Sequence, residues 1–290
     1  MATIDAATVK KLRELTNAGI MDCKRALTES DGDFEKAKEW LREKLNVRAD
    51  NKGDRETADG QVGVAISDDA KRGALIEINC ETDFVARNDN FQNLLKNLAT
   101  QAADGGMSDV QTFMQQALAS HDGRTVEEHV KESIGIVGEN IVVTRLSALE
   151  TAGVLGSYVH SDGKQAAIVE LQGDSDKDVE ALKEVARDVA MQAVALKAPY
   201  LSRDEVPASV VESEQEIYRK QASEEGKPEA MLDKIASGRL NKFYSENTLL
   251  EQGFVKDASG KQSVAQYVKA AAGENVKVAR FVRFKVGESQ

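Results

Sequence analysis

The sequence contains few of the residues on which many protein functions depend. Its 290 residues include three His, two Cys and three Pro, and aromatic residues make up 5%. Two cysteines in a chain of this length give no disulfide framework and indicate a reducing compartment. The histidines, His121, His129 and His160, show no metal-ligand spacing. We therefore expect a cytoplasmic protein that holds no metal and needs no cofactor.

Several motifs are missing as well. The sequence has no G-x-x-x-x-G-K-[ST] phosphate loop, no G-x-G-x-x-G fingerprint and no G-x-S-x-G elbow. Because no motif supports a reaction, we expect a protein that is not an enzyme. No apolar run of about 18 residues occurs, so we expect no membrane-spanning helix.

The charge balance argues against nucleic acid as a partner. The formal net charge is -11, whereas binding to phosphates needs clustered Lys and Arg. RNA-binding sheets also expose aromatic residues. The apolar strand-like segments here lack aromatic residues and are expected to present the acids Glu77 and Glu170 instead.

The first fifty residues predict three short helices. Apolar residues recur at helical intervals in each, and the candidate N-caps are Asp5 or Thr3 for the first helix, Asp22 for the second and Asp33 for the third. We predict a three-helix bundle over residues 1–50, close to the lower size limit for independent folding. A polar linker over 51–59 is expected to follow it.

An internal repeat follows the linker. The matched blocks are 60–63 with 153–156, 75–78 with 168–171, 98–102 with 189–193, and 138–146 with 273–281. Each copy has the pattern of two strands, a helix, a short helix and a third strand. We therefore predict an α+β fold with two three-stranded antiparallel subdomains, at 60–149 and 150–290, each with helices on one face.

The second copy contains an insertion. Residues 206–245 carry two helical patterns on either side of Gly226 and Pro228, with Ile217 in an apolar seam. The short turn predicts an antiparallel coiled-coil hairpin. Its apolar seams are too narrow for a globular core, so we expect the hairpin to meet a partner or a second copy of the chain.

The loop after the second strand differs between the copies. Copy one reads Thr82-Asp83-Phe84-Val85, whereas the corresponding residues 172–178 are polar. In one interpretation, Thr82 or Asp83 caps a helix and Phe84 packs into the local core. In the other, Phe84 is an exposed tip that inserts into another protein, where burial of a Phe contributes about 1.5–3 kcal/mol. Periodicity alone favours the first interpretation.

Four segments carry the signature of one protein family. They are residues 9–27, the central Cys80-Glu-Thr-Asp-Phe-Val-Ala86, the core pieces Gly138-Glu-Asn140 and Tyr158-Val-His160, and the hairpin pieces 225–229 and 238–244. Together they resemble the bacterial elongation factor Ts family, the guanine-nucleotide exchange factors of elongation factor Tu. The resemblance implies a ubiquitin-associated-like bundle, two related α+β subdomains and a coiled-coil hairpin.

The resemblance also implies an activity and the residues that carry it. The chain would bind elongation factor Tu, with a homodimer or a heterotetramer formed through the hairpin, and would promote release of GDP. The residues implied to displace Mg²⁺ from the partner are Thr82, Asp83, Phe84 and Val85. The residues implied to bind the partner are Arg13, Ile20, Met21, Lys24, Val137, Gly138, His160, Phe254 and Val255.

Three positions depart from the family pattern. Asn17 stands where Gly is usual, so the helix end there is expected to differ. Ile20 replaces a frequent Met at similar volume. Gly253 replaces a usual Pro, which affects the expected contact at the residues that follow.

Two functions of other classes stay open. The first is a scaffold or chaperone-like binder that uses the N-terminal helices for peptides, in which case residues 1–50 alone would retain the activity. The second is an enzyme with a cryptic cleft of convergent titratable groups, for which the sequence offers no candidate residues.

Overall fold

The computed structural model describes residues 4–119 and 123–288, so Thr3 and His121 lie outside the described residues. The α-helices are α1 Ala6–Thr16, α2 Ile20–Glu29, α3 Phe34–Asp50, α4 Asp83–Ala86, α5 Asp89–Gly105, α6 Val110–Met114, α7 Val126–Val137, α8 Val179–Leu196, α9 Ala208–Glu224, α10 Glu229–Asn247 and α11 Val264–Ala272. The strands are β1 Asp59–Ile66, β2 Arg72–Cys80, β3 Ile141–Glu150, β4 Val154–Val159, β5 Gln165–Gln172 and β6 Lys277–Lys285. None of these helices is long and apolar enough to cross a membrane.

Two of the three predicted caps begin helices as expected. Asp5 accepts a hydrogen bond of 2.6 Å from the Thr8 amide at the start of α1. Asp33 accepts hydrogen bonds from the Glu35 and Lys36 amides at the start of α3. The three helices share a core of Val9, Leu12, Ala18, Cys23, Ala26, Leu27, Ala37 and Leu41.

The third predicted cap, Asp22, is wrong. Helix α2 begins at Ile20, and Asp22 lies inside its first turn. There its carboxylate accepts hydrogen bonds of 2.8 and 2.9 Å from Arg48 of α3, which lower the pKa of Asp22. Asn17 ends α1 in the left-handed conformation, with φ of 51°. Asn is one of the few residues other than Gly that tolerate this conformation, so it can end the helix here.

The strands form two three-stranded antiparallel sheets, ordered β1-β2-β3 and β4-β5-β6. Helices α5 and α7 cover one face of the first sheet, and α8 and α11 cover one face of the second. The matched glycines of the repeat allow this close packing. A Cβ at Gly63 would lie 2.8 Å from Leu95 of α5, and one at Gly156 would lie 2.5 Å from Ala186 of α8. The division of the chain at residues 50, 59 and 149 stays a prediction.

The other faces of the two sheets pack against each other. The apolar residues between them are Val62, Leu75, Leu149, Leu155, Ala166, Ile168 and Phe284. Glu77 and Glu170 lie in this interface and are only 1% and 2% exposed. The expectation that the strands present these acids on an open surface is therefore wrong.

Each buried glutamate pairs with an arginine from the third strand of its own sheet. Glu77 accepts a hydrogen bond of 2.6 Å from Nε of Arg145, and Glu170 pairs with Arg280 in the same way. The two pairs occupy matched positions of the sequence repeat. A buried carboxylate requires such a partner, since an isolated buried charge is strongly unfavourable.

The N-terminal bundle is attached to the first sheet through its helical layer. Helix α3 lies against α7 so closely that a Cβ at Gly135 would come within 2.5 Å of the Leu45 carbonyl oxygen. At the edge of this contact, Arg42 pairs with Glu128 at 2.9 Å. Glycine at position 135 therefore sets the distance between the bundle and the core.

Helices α9 and α10 pair with each other across a four-residue turn. Their buried residues are few, namely Ala222, Leu232 and Ala236. Ion pairs supplement the thin seam, including Arg239 with Glu225 at 2.8 Å. Ile217, which the sequence placed in the seam, is exposed instead.

Candidate functional site

Residues 81–88 connect β2 to α5, and residues 81–86 of this connection, the tip loop, contain the four-residue helix α4. Thr82 is the N-cap of α4, and its hydroxyl oxygen accepts a hydrogen bond from the Val85 amide. Val85 packs against the apolar core between the first sheet and its helices, and Ala86 is buried in that core. Phe84 points the other way and is 82% exposed. The helix cap is therefore as predicted, whereas the interpretation that buries Phe84 is wrong.

The tip loop is bound to the turn between α7 and β3. The Glu139 carboxylate accepts hydrogen bonds from the Thr82 amide, at 3.0 Å, and from the Thr82 hydroxyl, at 2.8 Å. In return, Glu81 accepts a hydrogen bond of 2.7 Å from the Asn140 amide, which lowers the pKa of the Glu81 carboxyl. Two segments that are distant in sequence thus hold each other in place.

Two further residues lie close to the Thr82–Glu139 contact, namely Cys80 at the end of β2 and Asp83 at the start of α4. Cys80 is fully buried at the end of β2, and burial raises the pKa of its thiol to about 12. It therefore acts as a small core residue and not as a nucleophile. Asp83 pairs with Arg87 at 3.1 Å across one turn of helix.

An open cleft of about 730 Å³ lies between the tip loop and the turn after β4. Asp83 lines one side and His160 the other, so the fold joins one predicted residue from each copy of the repeat. Lys164 and Asp59 form an ion pair of 3.0 Å in its wall. Burial opposes ionisation of Asp59, yet hydrogen bonds from the Gly60 amide and Lys164 hold its pKa below the ordinary value.

His160 also lines an apolar groove beside β4 and α8. Val255 lines this groove as well and is 50% exposed. Phe254 does not reach the surface, because it is 5% exposed and stacks on Tyr267 with ring centroids 3.9 Å apart. The expected surface contact of residues 254 and 255 therefore depends on Val255 alone.

Residues 252–255 are held by a residue that the sequence pattern did not single out. Gln192 is fully buried on α8. Its amide group donates to the Gln252 side chain and to the Gly253 carbonyl oxygen, and accepts a hydrogen bond of 2.8 Å from the Val255 amide. A polar residue in the middle of an apolar helix face is the signal that would have indicated this role.

The other predicted contact residues lie away from the cleft. Arg13 is exposed on α1, and Lys24 is exposed on α2, the helix that also carries the exposed apolar side chains of Ile20 and Met21. Val137 and Gly138 are half-buried at the end of α7, where Gly138 has φ of 81°. None of these six residues lines the cleft between Asp83 and His160.

The structure also bears on metal binding. Within residues 4–119 and 123–288, no group of three or more His, Cys, Asp or Glu side chains is arranged to hold a metal ion.

The chain is similar to proteins of one family over most of its length. A family model described as "Elongation factor TS" matches residues 81–288. "Elongation factor Ts" of Nautilia profundicola is 43% identical over 294 residues, covering 99% of this chain and 94% of that protein. The proteins of the same name from Aquifex aeolicus and Prosthecochloris aestuarii are each 42% identical, covering 96% and 99% of this chain and 96% and 100% of their own lengths.

Proposed function

The chain belongs to the elongation factor Ts family, and we propose that it is a translation elongation factor acting as a non-catalytic exchange factor in the cytoplasm. It binds elongation factor Tu in complex with GDP, disturbs the Mg²⁺ and phosphate site, and so allows GTP to bind after GDP has left. The observation that carries this proposal is the exposed Phe84 on a loop that is otherwise firmly anchored.

Phe84 supplies the binding energy at the nucleotide site. Transfer of its ring from water into an apolar pocket contributes about 1.5–3 kcal/mol. In GTP-binding proteins the Mg²⁺ ion bridges phosphate oxygens, so a side chain that separates the ion from its ligands weakens nucleotide binding. Asp83 lies beside Phe84 and reorganises groups near the ion, with Thr82 and Val85 as flanking contacts. By linkage, GDP weakens the binding of the factor to the same extent.

Further contacts hold the partner in position. Arg13, Ile20, Met21 and Lys24 on the N-terminal bundle contact the nucleotide-binding domain of the partner. His160 contacts another domain of the partner, from the side of the cleft opposite Asp83. Val137, Gly138 and Val255 add to the contact surface. Phe254 supports Val255 from the core, since its ring is buried.

The proposal is tested by the rate of GDP release from purified elongation factor Tu. The wild-type chain accelerates release, and Phe84→Ala and Asp83→Ala each reduce the acceleration, for Phe84 by about 10- to 100-fold. Val179→Ala, which removes an exposed apolar side chain at the start of α8, is the matched control and leaves the rate unchanged. Full acceleration by both tip variants would exclude the proposed role of the tip.

The hairpin of α9 and α10 offers a further surface for a partner. Its exposed side chains Ile217 and Met231 support contact with another chain. That chain is either a second copy, which gives a homodimer or a heterotetramer, or elongation factor Tu itself. Sedimentation of a chain that lacks 206–245 separates the two cases. Self-association predicts fewer chains per particle for the deletion, whereas a Tu contact predicts an unchanged number of chains and weaker Tu binding.

A further inference from the structure

We propose that Glu139 is the positioning residue that holds the exposed tip loop in its binding geometry, an inference that rests on the function proposed for that loop. Glu139 is half-buried and lies on the turn between α7 and β3. Its two carboxylate oxygens accept both hydrogen bonds that Thr82 donates. Because Thr82 is the N-cap of α4, Glu139 fixes the residue at which the turn carrying Phe84 begins.

The repeat shows that this arrangement is particular to the first copy. The residue that matches Glu139 in the second copy is Glu274. Its side chain is 83% exposed and lies 3.7 Å from Lys269. The loop of the second copy is attached differently, through a hydrogen bond from the Ser175 hydroxyl to the Ala272 carbonyl oxygen. The glutamate of the Gly-Glu-Asn turn therefore binds the neighbouring loop in the first copy, where that loop carries an exposed Phe, whereas in the second copy it points to solvent.

The turn that carries Glu139 is itself immobilised from the other side. The Asn140 side chain donates to the carbonyl oxygens of Gly53, at 3.2 Å, and Arg55, at 2.8 Å. Arg55 in turn pairs with Glu81 at 3.3 Å. The support beneath the tip loop consequently includes the segment that joins the N-terminal bundle to β1.

Fixing the tip loop in the free chain reduces the entropic cost of binding a partner. An exposed Phe on a loose loop has to be ordered when it binds, and that ordering weakens binding. The Glu139 side chain presents two acceptor oxygens, one for each of the two Thr82 donors. A glutamate is therefore well suited to fix a loop whose Phe makes few contacts with its own chain.

The test compares three full-length variants in GDP release from elongation factor Tu, at saturating and at half-saturating factor. Glu139→Ala lowers the saturated rate about tenfold. Glu139→Gln stays close to the wild-type rate, because its amide oxygen accepts from the Thr82 amide and its NH₂ group donates to the Thr82 hydroxyl. Glu274→Ala, the matched control, leaves the rate unchanged. Rescue by Gln identifies hydrogen bonding, and not charge, as the cause.

Two further measurements separate positioning from loss of the fold. Hydrogen exchange of the Thr82 and Val85 amides becomes faster in Glu139→Ala, while the thermal midpoint stays near that of the wild type. Thr82→Val, which removes the hydroxyl, lowers the saturated rate in the same way, and its effect is not additive with Glu139→Ala.

The outcomes distinguish this inference from the function on which it rests. No acceleration by the wild-type chain would overturn the proposed function. Normal acceleration by the wild type with an equally active Glu139→Ala would overturn only the positioning role. A Glu139→Gln variant as slow as Glu139→Ala would overturn it as well, because charge and not hydrogen bonding would then be the cause.

Discussion

Arg145 joins the two sheets, because its Nη2 donates a hydrogen bond of 2.7 Å to the backbone carbonyl oxygen of Lys285 in β6. The matched Arg280 makes the reverse connection, with a hydrogen bond of 2.8 Å to the carbonyl oxygen of Glu150 in β3. Each arginine thus pairs with a buried glutamate of its own sheet and also binds the edge strand of the other. The two copies of the repeat are linked reciprocally.

This relationship predicts a large effect of breaking one pair. Glu77→Leu leaves Arg145 without its carboxylate in the interface, and the free energy of unfolding falls by about 3–5 kcal/mol. The double variant Glu77→Leu/Arg145→Met recovers most of the loss, because no unpaired charge is then buried. Urea unfolding measures both. Glu180→Ala, which removes an exposed partner of Lys183, is the control and changes stability by less than about 1 kcal/mol.

Gly135 and Gly238 give a matched pair of substitutions. A Cβ at Gly135 would meet Leu45 of α3, so Gly135→Ala separates the bundle from the core and costs about 1–3 kcal/mol. Gly238 lies in α10 with nothing within 4 Å of an added Cβ, so Gly238→Ala stabilises the chain by up to about 1 kcal/mol. Urea unfolding gives both values, and an equal effect of the two changes would contradict the packing described.

Phe84 and Phe91 differ in burial although they lie seven residues apart in sequence. Phe84→Ala changes the free energy of unfolding by less than about 0.5 kcal/mol, because the ring is exposed. Phe91→Ala removes a fully buried ring and costs about 3–5 kcal/mol. A large destabilisation by Phe84→Ala would show that the ring packs against its own chain.

Cys80 predicts a pH dependence of stability in the alkaline range. Burial raises the pKa of its thiol from 9.0 to about 12, so the folded chain retains a proton that the unfolded chain releases. The resulting stabilisation is complete below pH 9 and is lost between pH 9 and 12, at no more than about 1.4 kcal/mol per pH unit. Cys80→Ala has a smaller slope of stability against pH than the wild type, and identical slopes would contradict this assignment.

The sequence was sufficient to predict the helices and strands, but not to predict which faces of the strands are covered by other elements. The repeat and the alternation of apolar residues predicted the two antiparallel sheets. The same alternation placed Glu77 on an open face, because periodicity gives the side of a strand and not what covers it. Arg145, at a position matched to Arg280 in the repeat, was the available sign that both faces are buried.

The candidate site was harder to derive from local pattern. Helical spacing favoured a buried Phe84, but α4 has only four residues, and Val85 and Ala86 already occupy its inner side. The meeting of Asp83 with His160 across a cleft depends on how the two sheets stack, which no local pattern contains. Gly253 and Val255 likewise take their positions from Gln192, a contact between segments about sixty residues apart.

The face-to-face packing of the two sheets has a consequence for fragments of the chain. Either copy of the repeat alone would leave apolar residues such as Leu75 or Ile168 uncovered on a three-stranded sheet. Such a fragment would aggregate or find a complementary surface. A chain cut between β3 and β4 after folding would therefore stay assembled as two pieces, because each piece covers the apolar face of the other.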